Sequence, residues 1–160
     1  MEKLFEIIEK TRLQVVEQLK GLSIAQLNEI PTGFNNNIIW NVGHLIAAQQ
    51  GVCYLRPGLE LRIEEKYFTL YKPGSKPEAF VDQQEVEHIS ALLFSSLAQF
   101  KADYENGVIA NYIPWTTRYG VALHTIDDAV QFLPFHEGMH LGYILALKRA
   151  LAPAEIPSAH

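Results

Sequence analysis

Apolar residues recur along the first stretch of the chain at spacings of three, four and seven. Leu4, Ile7, Ile8, Val15 and Leu19 take one side, and Glu6, Glu9, Lys10 and Glu17 the other. This is the period of an amphipathic α-helix, predicted over residues 2–20 with Gly21 as its stop. A short turn capped by Ser23 follows over 23–28, before Pro31-Thr32-Gly33 breaks the chain. A second helix is predicted from a cap at Asn36 or Asn37 to the Arg56-Pro57-Gly58 break. Ile38, Ile39, Val42, Leu45, Ile46 and Val52 cover most of its circumference, which makes it the most buried of the set.

Beyond it, Pro73, Gly74 and Pro77 punctuate a stretch with no convincing period, read as a functional loop or a lid. The third helix is predicted over 82–106, with Val86, Ile89, Leu93, Leu97 and Phe100 as its core stripe and Gly107 as its end. Residues 108–124 are irregular, rich in aromatics and interrupted by Pro114, with 120–123 as a short extended piece. Thr125-Ile126-Asp127-Asp128 announces the last helix, a threonine cap followed by carboxylates where the helix dipole favours them. It is predicted to reach residue 151, with Lys148 and Arg149 at its negative end and a kink at Pro134. The expected fold is all-α: a four-helix bundle of the up-and-down type, with long loops between helices two and three and between three and four. One domain is expected over residues 1–152, with a C-terminal tail over 153–160 that holds Pro153 and Pro157.

Composition narrows the function classes. The chain has 160 residues, 48% hydrophobic and 19% charged, enough for one well-buried domain. Thirteen basic against eighteen acidic residues give a net charge of -5, with no run of Lys or Arg. Nucleic acid and anionic membrane are therefore not expected partners, since both need a concentrated positive face. Met1-Glu2-Lys3-Leu4 does not open as a secretory signal, and no stretch approaches the length of a membrane span. The single Cys53 cannot form an internal disulfide, and a reducing, cytoplasmic setting is expected.

The most specific local chemistry is His136-Glu137-Gly138-Met139-His140. Two histidines one helical turn apart point the same way and can hold one ion together. The bland alternative is a pair of half-buried histidines on an amphipathic helix. The five residues also satisfy H-E-x-x-H, in which the glutamate is a peptidase's general base. The longer peptidase pattern fails, because Tyr143 and Ala146 stand where a glycine and a third histidine belong. A downstream ligand would have to be Glu155, in the tail. A better third ligand is His44 in the apolar second helix, since bundle metal sites draw on facing helices. Three imidazoles leave a coordination position open, as catalytic sites do, and suit zinc, nickel or iron.

Asn41-Val42-Gly43-His44-Leu45-Ile46, the Thr125-Ile126-Asp127-Asp128 helix start and the run from His136 through Leu141-Gly142-Tyr143-Ile144 resemble the DinB-like (DinB/YfiT) superfamily of four-helix metalloproteins. The Tyr71-Lys72-Pro73-Gly74-Ser75-Lys76-Pro77 loop is similar to the family's as well, and the likeness runs over nearly the whole chain. It implies an up-and-down bundle, often a homodimer, with a divalent metal ion held by His44, His136 and His140. It also implies an activity. Characterised relatives include S-transferases that use the low-molecular-weight thiol bacillithiol and a mycothiol-dependent isomerase, and others are described as metal-dependent hydrolases. Tyr143 departs from the family, whose members often place a glutamine there.

The remaining candidates are ranked by position. Asn41, three residues before His44, shares its face and can orient a ligand. Glu137, rotated about 100° from His136, is an acceptor behind the ligands or a proton carrier on one reading, and a solvated or interhelical carboxylate on the other. Arg118 can pair with a carboxylate of a substrate or thiol cofactor, and Tyr143 is a second cofactor-binding candidate. Tyr112, Trp115 and Tyr119 either wall a pocket or plug the bundle, the plug being favoured. His124 is a candidate pocket residue; His88 is expected exposed, His160 lies in the tail, and Cys53 is expected as core. The expected function is a metal-dependent transferase or hydrolase acting on a small molecule. The rival is a metal-free bundle serving small-molecule binding or dimerisation.

Overall fold

The computed structural model describes residues 1–152; the tail over 153–160, with Pro153, Glu155, Pro157 and His160, lies outside them. Four long helices carry the fold: α1 (Glu2–Leu19), α3 (Ile38–Gln50), α5 (Gln83–Glu105) and α6 (Ile126–Ala150). The short α2 (Ile24–Asn28) and α4 (Glu65–Tyr71) lie in the connections, and β1 (Trp115–Thr116) pairs antiparallel with β2 (Ala122–Leu123). No helix among the described residues is long and apolar enough to cross a membrane.

The helix boundaries follow local chemistry. Gly21 adopts φ +78° just past α1, and Ser23 and Gln26 form a reciprocal capping box on α2. Asn37, not Asn36, caps α3 by accepting from the Trp40 amide. Asp82 caps α5, and Thr125 with Asp128 forms a second capping box on α6. Each such cap stabilises its helix by about 1 kcal/mol. α6 continues through Pro134, whose ring leaves the Val130 carbonyl without its usual intrahelical donor.

Every residue of α3 is buried, as its apolar circumference predicts. It packs between α5 and α6, with α2 and α4 also against it. α1 packs against the same two long helices from the other side. Successive bundle helices α1 and α3 therefore stand across the bundle from each other, as do α5 and α6. A bundle of the simple up-and-down type sets successive helices side by side. The long connections over 20–37 and 106–125 permit the crossed placement found here.

Three local expectations are corrected. The second helix is not α-helical to residue 55: after Gln50 it loosens into a π-helical turn over Gly51–Leu55. The stretch before Pro73 is not all loop, because Glu65–Tyr71 forms α4. In α1, Ile7 is exposed, and the buried stripe is Phe5, Ile8, Arg12 and Val15.

Candidate metal centre and its cavity

α3 supplies His44, and α6 supplies His136 and His140 one turn apart on the same face. All three are buried, and one donor nitrogen from each lies within 4.8 Å of the others. The ring centroids are 4.7 Å apart for His44 and His140, 5.3 Å for His44 and His136, and 4.6 Å for His136 and His140.

Hydrogen bonds from neighbouring groups set the ring tautomers. His44 Nδ1 donates to the Tyr71 carbonyl at 2.6 Å, which leaves Nε2 as the lone-pair nitrogen. His140 Nδ1 pairs with Asn41 Oδ1 at 2.8 Å. The Asn41 amide nitrogen already donates to the Asn37 carbonyl, so its oxygen is the acceptor and His140 Nδ1 carries the proton. His140 Nε2 is then a buried acceptor with no partner among the described residues. Trp40 stacks on His44 with centroids 4.7 Å apart, and its indole nitrogen donates to Ser75 Oγ at 3.1 Å. The loop after α4 is thus tied to the helix that carries the first histidine.

Gly43 explains how α4 comes so close. A Cβ on Gly43 would lie 2.5 Å from the Tyr71 ring. Only glycine lets that ring rest against α3, and the Tyr71 carbonyl reaches His44 from there. Neither α4 nor this contact was foreseen. The only signal was Tyr67 and Tyr71 one turn apart in a stretch otherwise patterned like a loop.

Glu137 points away from the histidines. Its Oε1 accepts from Arg12 Nε at 3.0 Å and Nη2 at 2.7 Å, and both side chains are fully buried. Of the two sequence readings, the interhelical carboxylate is the one observed. A carboxylate held this way is not positioned as the general base of an H-E-x-x-H peptidase. Arg12 also donates to Gln49 Oε1 at 2.8 Å and to the Leu93 carbonyl, so one guanidinium ties α1 to α3, α5 and α6. Arg12 was missed as well, although its signal was present: a charge set between Ile8 and Val15 on the buried face.

A cavity of about 570 Å³ opens onto His44 and His136. Its walls come from the π-helical turn, Phe68 of α4, the β1–β2 hairpin and Phe132 of α6. Trp115 and Tyr119 are wall residues, not a plug, and Tyr112 accepts the Trp115 indole proton at 3.0 Å. Arg118 also lines the cavity. Two candidates fall elsewhere: His124 is exposed beyond β2, and Tyr143 packs edge-on against Phe34 at 5.5 Å. Cys53 is buried in the core, as expected. Burial pushes the Cys53 thiol well above its ordinary range, which favours the protonated form. His88 is exposed and stacks on Tyr67.

A family model, the DinB superfamily, matches residues 7–144. The chain belongs to the DinB superfamily. Comparison with curated proteins gives no match. The match runs from within α1 through most of α6 and so includes all three histidines of this DinB-superfamily chain.

The histidines suit a cation in their protonation as well as their placement. Burial, then the charges of neighbouring histidines and Arg118, pushes His136 down to about 3 and His140 down to about 2. Burial lowers His44 too, against the opposing pull of the Tyr71 carbonyl. All three are therefore neutral imidazoles at physiological pH, the form that binds metal. An unpartnered His140 Nε2 beside two more imidazoles is a donor set that a divalent cation would satisfy.

Proposed function

We propose that this DinB-superfamily protein is a metal-dependent enzyme. In this reading His44, His136 and His140 hold one zinc, nickel or iron ion beside the cavity, and the reaction transfers a low-molecular-weight thiol to a small electrophile. The observation that carries it is the buried, unpartnered His140 Nε2 converging with the donors of His44 and His136. When bound, the ion would supply a double positive charge that favours ionisation of a thiol or of water nearby.

The protein's own residues do the rest. Asn41 and the Tyr71 carbonyl hold His140 and His44 in the tautomers that present lone pairs. Phe68, Phe132 and Leu133 offer an apolar surface to the substrate body and keep water from it. Thiol transfer is favoured over hydrolysis by what the walls contain. Among the described residues, no Asp or Glu lines the cavity, so nothing there is placed as a general base for water. A thiol, with an ordinary pKa near ~8.5, needs far less help to ionise. Cys53 is buried elsewhere, so the thiol would come from a second molecule.

The test is to load the protein with zinc or nickel and follow consumption of cysteine or bacillithiol in the presence of 1-chloro-2,4-dinitrobenzene. Thioether formation above the uncatalysed rate, lost in His136→Ala/His140→Ala, is expected. A metal-loaded protein that hydrolyses small esters but leaves thiols untouched would overturn the thiol assignment.

A further inference from the structure

The cavity walls also indicate what kind of molecule fits. Val52, Leu55, Phe68, Phe132 and Leu133 make them largely apolar. Among the described residues, the only charged side chains in the lining are Arg56 and Arg118. Neither forms an ion pair among the described residues. In a chain of net charge -5, a cavity with two guanidinium groups and no carboxylate inverts the sign of its surroundings. Such a patch beside low-dielectric walls concentrates anions at the entrance.

Both arginines are also held in place. The Arg56 guanidinium lies over the Trp115 ring, 4.4 Å from its centroid. That of Arg118 lies over Tyr119 at 4.9 Å, and its Nη2 donates to the Tyr119 hydroxyl at 2.8 Å. Stacking on an aromatic face orients a guanidinium while leaving N–H groups free to donate in its own plane. Planar donors of that kind suit an oxyanion such as carboxylate. Arg118 lines the same cavity as His44 and His136.

We propose that the cavity binds an amphipathic organic anion. Its apolar body would lie against Phe68, Phe132 and Leu133, and its oxyanion on Arg56 and Arg118. The inference rests on the metal-enzyme reading only for which end of the molecule reacts; the binding preference itself stands on the walls.

The test is calorimetric titration of the full chain, zinc-loaded and again after chelation, with 4-phenylbutyrate, 4-phenylbutanamide and 4-phenylbutylamine. The acid is expected to bind roughly tenfold tighter than the amide, with the amine weakest, in both forms of the protein. Arg56→Gln/Arg118→Gln should erase the advantage of the acid, and Arg56→Lys/Arg118→Lys should keep most of it. Equal affinities for acid and amide in the chelated protein, or no binding of the acid, would overturn the proposal. A preference for the acid that appears only with zinc and survives Arg56→Gln/Arg118→Gln would also overturn it, while leaving the metal site standing. A protein that takes up no zinc yet keeps the arginine-dependent preference would support this inference and remove the metal-enzyme reading.

Discussion

Asn41 Oδ1 accepts the Nδ1 proton of His140 at 2.8 Å, across the interface between α3 and α6. The other end of the same amide is anchored on the Asn37 carbonyl, at the cap of α3. Asn41 thus sets the orientation of a ring on another helix. Replacing it with leucine should lower divalent-metal affinity about tenfold to a hundredfold, the usual cost of losing a group that orients a metal-binding histidine. Asn41→Asp, which keeps the acceptor, should retain most of the affinity. Competition against a chromogenic chelator measures both; unchanged affinity in the leucine variant would remove Asn41 from the site.

The sign of the Gly43→Ala effect distinguishes a contact from a propensity. In an unconstrained helix interior, alanine is more favourable than glycine by about 1 kcal/mol. With the Tyr71 ring 2.5 Å from where the Cβ would go, the substitution should instead destabilise by about 1–3 kcal/mol. It should also weaken metal binding, because a displaced α4 takes the Tyr71 carbonyl away from His44. Urea denaturation beside the chelator assay checks both, and a stabilised Gly43→Ala protein would refute the packing argument.

Arg12→Met should cost about 3–5 kcal/mol, since it leaves the Glu137 carboxylate buried and uncompensated. Arg12→Met/Glu137→Leu should regain most of that loss, because both charges go together. The comparison is a denaturation series on the two single variants and the double. Additive losses would mean that the two residues stabilise the bundle independently.

Stability of the metal-free protein should fall as pH drops below neutrality. The three histidines titrate below their ordinary value of 6.5 in the folded chain, so below that pH the unfolded chain binds more protons. Their contribution is intact above 6.5 and is lost progressively toward the folded values of about 3 for His136 and about 2 for His140. Urea midpoints of chelated protein at about pH 8 and about pH 5 should differ, and His136→Gln/His140→Gln should narrow the gap. An equal gap in the two proteins would place the pH dependence on other groups.

The long helices were legible because each carries its own period, and three of the four also carry a side-chain cap: Asn37, Asp82 and Thr125 sit where those patterns begin. The histidine cluster was legible because His136 and His140 share a helical face and His44 stands in the most apolar helix. What was missed depends on contacts between distant segments. α4 has no side-chain cap and owes its place to packing on α3, where Gly43 makes room for Tyr71. Arg12 shares the apolar face of α1, but the partners that let it stay there, Glu137, Gln49 and Leu93, come from three other helices. The crossed order of the helices is likewise a matter of how long connections run, which periodicity does not encode. The aromatics of 108–124 read as a plug because nothing in their spacing shows that β1 and β2 fold Trp115 and Tyr119 against a cavity.

Elemental analysis of protein purified without an affinity tag shows whether the three histidines hold an ion. The wild type should carry, or take up from solution, about one zinc, nickel or iron per chain, and His136→Ala/His140→Ala should carry none while remaining folded. A folded wild type that neither contains nor binds any of these ions would contradict the account.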